Sequence, residues 1–209
     1  DELERRGALP AEYWILDLSA DLRERQRETL EQVVPHLLPR VQWLDSLPDE
    51  PFVGMILANE VLDALTIERF ALRGGEVNAL GVSSEFGQLQ LAEVRAASRL
   101  VAAVRRIEAD SGIALPDGYE SEVCTGLAPW FESIAYSLER GVLLFIDYGL
   151  PRREYYSAER TRGTLLCHFR HRFHEDALTR VGLQDITAWV DFTAVAEAAQ
   201  GAGCEVAGY

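Results

Sequence analysis

The chain has 209 residues, 48% of them hydrophobic, and a formal net charge of −14, with every one of its 20 basic residues an arginine. An acidic surface of this size disfavours nucleic acid and anionic membranes and suits a basic partner, such as an arginine-bearing protein segment. No apolar run approaches the ~20 residues needed to cross a bilayer, so no membrane span is expected.

The first predicted strand is Tyr13–Leu16, an aromatic and apolar run after Pro10 that Asp17 closes. Ser19 then caps a helix over residues 20–34, with Leu22, Leu30 and Val33 as its apolar positions, and Pro35 and Pro39 end it. Residues 41–44 form a second short strand, followed by Asp45. Residues 52–58 (FVGMILA) are an unbroken apolar run that reads as a central parallel strand, with a site at its carboxyl end where Asn59 and Glu60 follow. If residues 61–65 make a helical turn, Glu60 and Asp63 share one face, and so do Asn59 and Asp63. The other reading of the same spacing is that Asn59 caps the turn and the two acids are merely solvated.

Beyond Leu65 the pattern becomes antiparallel. Residues 67–73 and 76–82 flank Gly74-Gly75, a two-residue hairpin signal, and 89–91 add a further strand. Helical spacing is expected over 93–110 and again over 122–138, with a loop between. Residues 67–138 therefore read as an antiparallel and helical insertion in an α/β domain covering 1–209. The core resumes at 142–146, a buried strand that ends Asp147-Tyr148-Gly149. A polar segment over 152–162, strands at 163–166 and 186–190 and a helix over 192–202 complete the chain.

Asp17, at a strand tip before a helix, is placed as an acid that receives ribose hydroxyls in nucleotide-type folds. His168, His171 and His174 are three apart, yet the arginines around them oppose a cation, so a polar loop with one functional histidine is expected and no metal. Cys124, Cys167 and Cys204 are far apart and form no C-x-x-C, which speaks against a zinc ribbon or disulfide framework and for a cytoplasmic setting. Hydrolase, P-loop and kinase signatures are absent.

Five stretches taken together resemble the MidA-like family of class I S-adenosylmethionine-dependent methyltransferases. They are residues 13–19 with Leu22, Arg23 and Gln26; residues 58–65 (ANEVLDAL); residues 145–149 (FIDYG); Gly163-Thr164-Leu165 with His171; and residues 185–188 with 190–192. Some members of that family are protein arginine methyltransferases that act in assembly of mitochondrial respiratory complex I. The resemblance implies a Rossmann-like sheet and S-adenosylmethionine as cofactor. It implies Asp17, Ser19, Asp45 and Asn59 at the cofactor, Glu60 and Asp63 as catalytic carboxylates, and Asp147, Tyr148 and His171 at a protein substrate with an exposed arginine. Thr66, Asp17 and His168 depart from the family's usual Pro, Glu and Tyr. The family's Gly-rich loop would precede Asp1 and its last strands would follow Tyr209, so the chain reads as an internal fragment that binds cofactor poorly by itself. Two rival classes stand beside this one: a non-catalytic assembly module on the same fold, and an NAD-type oxidoreductase, which shares the strand-Asp-helix arrangement.

Overall fold

The computed structural model describes residues 2–208. It is an α/β fold with mixed sheets, and the chain divides into two compact units, Asp1–Phe52 and Val53–Tyr209. Among the described residues no helix is long and apolar enough to cross a membrane.

The first unit is built around a β-α-β element. A short helix α1 (Glu2–Arg5) precedes strand β1 (Tyr13–Leu16), helix α2 (Ala20–Val33), a 3-10 turn (Pro35–Arg40) and strand β2 (Val41–Leu44). Strands β1 and β2 are parallel, with Leu16 opposite Leu44. Helix α2 starts where Ser19 accepts a hydrogen bond from the Leu22 N–H, and it stops before Pro35, whose ring cannot continue an α-helix. Strands β1 and β2 have the bounds the sequence predicts and α2 ends one residue earlier than expected, while α1 and the 3-10 turn are additions. Trp14 packs edge-on against Phe52, with ring centroids 5.1 Å apart.

In the second unit the elements run β3 (Phe52–Asn59), β4 (Glu68–Arg73), β5 (Glu76–Glu85), β6 (Gln88–Arg95), α3 (Ser98–Ser111), β7 (Glu120–Val123), α4 (Leu127–Tyr136) and β8 (Leu138–Ile146). The remainder is β9 (Gly149–Leu150), α5 (Arg152–Tyr155), β10 (Leu166–Phe169), β11 (Arg172–His174), β12 (Asp185–Thr187), β13 (Val190–Asp191) and α6 (Phe192–Gly201). Strand β3 pairs with β8. Gly141 lies against the Gly54 carbonyl, and further along the Glu60 N–H donates to the Ile146 carbonyl at 2.8 Å, so the two strands ascend together. Strands β4, β5 and β6 form the antiparallel segment expected between residues 67 and 91, β7 adds a fourth strand beside β4, and Gly74 and Gly75 both take positive φ in the first hairpin.

Two cores result. Phe70, Leu72 and Val77 of the antiparallel sheet meet Leu100, Val104 and Ile107 of α3. Leu127 and Phe131 of α4 meet Val195 and Ala198 of α6, with Leu143 and Phe145 of β8 packed alongside.

Several sequence expectations are corrected. Strand β3 exists, but among the described residues it has one strand partner, and only its Ile56 and Ala58 face turns inward; Met55 on the other face is 60% exposed. Residues 93–95 are strand, because the spacing of Val94 serves β-alternation as well as a helix, and β6 is held by pairing with β5. Residues 120–123 are strand too, and the second helix begins only at Leu127. Residues 163–165 precede β10 as loop. The three histidines lie on the β10–β11 hairpin rather than in a loop throughout, with Cys167 opposite His174 and His171 in the turn.

Candidate active site

The carboxyl ends of β1 and β2 lie side by side, and each is followed by an aspartate. Asp17 accepts from the Ser19 N–H through Oδ1 at 2.9 Å and from Gln26 Nε2 through Oδ2 at 2.8 Å. The Gln26 amide oxygen in turn accepts from Trp43 Nε1 at 3.0 Å, so Gln26 ties the Asp17 carboxylate to β2. An ionised carboxylate has about four acceptor positions, and the two contacts leave capacity for a pair of vicinal hydroxyls. Asp45 is highly exposed and ion-paired to Arg23 at 2.6 Å. Ser19 serves as the α2 cap. In the sequence Gln26 and Arg23 stand out only as positions that match the family; in the fold Gln26 orients Asp17 and Arg23 pairs with Asp45.

In the second unit the expected helical turn after β3 is a single turn closed by the Leu65 N–H donating to the Leu62 carbonyl at 3.3 Å. Glu60 and Asp63 are therefore not on one helical face. Glu60 is exposed and takes φ of 49°, a conformation costly for a residue with a Cβ, and its N–H is fixed on β8. Asn59 is exposed at the end of β3, while Asp63 is only 5% exposed. Asp63 Oδ2 accepts from the Tyr148 hydroxyl, and Oδ1 is buried without a partner. Asp147 is committed to the backbone: its Oδ2 accepts from the Leu62 and Asp63 N–H groups, and its Oδ1 from the Tyr148 N–H. It holds the turn that carries Asp63 and has little left for a substrate.

Burial raises the Asp63 carboxyl above its ordinary value; the Tyr148 hydrogen bond opposes this, and the charges of Asp147 and Asp185 reinforce it. The Tyr148 phenol is pushed up to about 12, first by burial and then by its bond to Asp63, with a Thr187 hydrogen bond working the other way. Thr187 was not foreseen as a site residue; it is buried on β12. His171 takes φ of 62° in the β10–β11 turn and is exposed, and no hydrogen bond or ion pair among the described residues joins it to Asp63 or Tyr148. Among the described residues no three His, Cys, Asp or Glu side chains gather as a metal centre.

A family model described as "Putative S-adenosyl-L-methionine-dependent methyltransferase" matches residues 4–209. The chain belongs to this family. A COG1565 superfamily member from Burkholderia thailandensis, solved bound to S-adenosyl-homocysteine, is 42% identical, with a TM-score of 0.88. The match covers 96% of this chain and 51% of that one. A native structure of an uncharacterized protein of the same superfamily and organism is also 42% identical at TM-score 0.88, over 96% of this chain and 52% of its own. The methyltransferase-family chain thus spans about half the length of these solved relatives. No curated protein matches it. Family membership removes the NAD-type oxidoreductase from the competing readings.

Proposed function

We propose that this chain is part of an S-adenosylmethionine-dependent methyltransferase that modifies arginine side chains of a protein, in the manner of the MidA-like group and its complex I assembly members. The observation that carries the cofactor half of the reading is the Asp17 carboxylate, oriented by Ser19 and Gln26 at the carboxyl end of β1 with acceptor capacity to spare. The relative solved with S-adenosyl-homocysteine supports it. Asp17 would hold the ribose hydroxyls, with Ser19 beside the cofactor and Asp45 toward the adenine. S-adenosylmethionine, when bound, supplies a methyl group already activated on a sulfonium.

The chain's own work is then to align and neutralise an acceptor. Glu60 presents an exposed carboxylate that would grip a guanidinium fork. Asp63, raised by burial and bonded to Tyr148, is suited to hold a proton at Oδ1 as the substrate nitrogen loses it. Tyr148 fixes the other oxygen, and His171 would contact the substrate chain. The net charge of −14 favours an arginine-bearing partner. Glu60→Gln in the full-length protein tests the acceptor assignment: methyl transfer to an arginine peptide should fall at least tenfold, about 1.4 kcal/mol, while cofactor affinity holds. Equal losses in both would make Glu60 a cofactor ligand instead.

A further inference from the structure

Glu122 is a carboxylate with no solvent exposure, on the sheet formed by β4–β7 and outside every role assigned above. Its Oε1 accepts from the Thr164 N–H, the Thr164 hydroxyl and the Tyr155 hydroxyl, each at 2.8 Å. Its own backbone carbonyl accepts from the Tyr156 hydroxyl at 3.0 Å. Gly163 makes this approach possible, since a Cβ at that position would stand 2.2 Å from Glu122 Oε2 and the backbone there has φ of 72°. Oε2 itself is buried without a partner. A buried carboxyl that is only half satisfied is a poor device for stability alone, because a well-packed apolar residue would serve as well or better.

The connection runs onward from Thr164. Its hydroxyl oxygen accepts from the Trp189 N–H at 2.9 Å. The preceding residue, Ala188, donates its N–H to the Asp63 carbonyl at 3.1 Å. On the other side of Trp189, Val190 donates its N–H to the Tyr148 carbonyl at 3.1 Å. Residues 188–190 are therefore pinned on one side to Glu122 through Thr164, and on the other to the backbone carbonyls of both Asp63 and Tyr148.

We infer that Glu122 is a positioning residue for the Asp63–Tyr148 pair, acting through Thr164 and residues 188–190. This rests on the reading of Asp63 and Tyr148 as acceptor-site groups, and it gives Gly163-Thr164 a function that their place in the chain does not suggest.

The test uses the full-length protein with Thr164→Val, Thr164→Ser and Glu122→Gln. Thr164→Val keeps side-chain volume and removes the hydroxyl, so it stays informative if Glu122→Gln fails to fold. One readout is the Asp63 carboxyl titration by 13C NMR, assigned with Asp63→Asn. The other is the division of any activity loss between kcat and cofactor Kd. Thr164→Val should move the Asp63 midpoint down toward the ordinary carboxyl value and lower kcat about tenfold with Kd unchanged, and Thr164→Ser should restore both. A folded Thr164→Val protein whose Asp63 titration matches wild type overturns the inference. If the titration moves while wild-type protein transfers no methyl group, the positioning stands and the methyltransferase reading falls.

Discussion

Arg152 offers the sharpest stability test in the molecule. Its side chain is 8% exposed, and it reaches Asp191 through Nε at 3.1 Å, Glu197 through Nη2 at 2.7 Å and Asp110 through Nη1 at 3.0 Å. Asp191 is the most buried of these acids at 11%, and its other oxygen caps α6 by accepting from the Ala194 N–H. Arg152→Met fills the space and removes the charge. Glu197 and Asp110 are partly exposed and can rehydrate, so the cost falls mainly on Asp191. Breaking one side of a buried pair costs about 3–5 kcal/mol, which for a chain of this size is a fall in Tm of roughly 6–20 °C. Burial already raises the Asp191 carboxyl, and the Arg152 charge is what opposes it. Without Arg152 the carboxyl rises further, so it is protonated more readily. The deficit should therefore be largest at pH 8 and shrink as pH falls through the raised Asp191 value. Thermal melts of wild type, Arg152→Met, Asp191→Asn and the double variant at pH 5 and pH 8 would read this, with the double variant recovering much of the loss. A single variant that melts within about 1 °C of wild type, or a loss that is additive and the same at both pH values, would refute the reasoning.

Asp63 gives a second pH-dependent case. Its folded carboxyl is raised, so its contribution to stability is fully present below the ordinary carboxyl value near 3.8 and is lost as pH rises through the folded value. Asp63→Asn should therefore be at least as stable as wild type at pH 8 in urea unfolding while losing methyl transfer; destabilisation at pH 8 by more than about 1 kcal/mol would contradict this. A Cβ on Gly149 would stand 2.0 Å from the Val190 carbonyl oxygen, so Gly149→Ala should open the β9–β13 pair and cost about 2 kcal/mol or more, read as lost amide protection at Val190. Gln26→Leu frees the Asp17 carboxylate from β2 and should weaken cofactor binding several-fold by calorimetry, with no change in the α2 helix signal.

What could be read in advance was set by local punctuation. Tyr13–Leu16 and α2 are bounded by Pro10, Ser19 and Pro35, and each boundary acts through a dihedral or a cap within its own few residues. The fate of residues 93–95 was not local, because Val94 suits either period and the β5 partner decides it. Glu122 escaped because a charged residue is ordinarily placed outside, and its partners lie 33 and 42 residues away. The pairing of Asp63 with Tyr148 spans 85 residues, so spacing put Asp63 beside Glu60 while the fold put it against another strand end. Asp17 was legible as a strand-tip acid; its orientation by Gln26 required the turn of α2 to be in place.

The most direct measurement is calorimetric titration of the full-length protein with S-adenosyl-homocysteine, wild type beside Asp17→Ala. Wild type should bind, and loss of the charged hydrogen bonds to the ribose, about 1.5–3 kcal/mol, should weaken binding roughly 10- to 150-fold. An Asp17→Ala protein that binds as tightly as wild type, or a folded wild type that does not bind at all, would contradict the account.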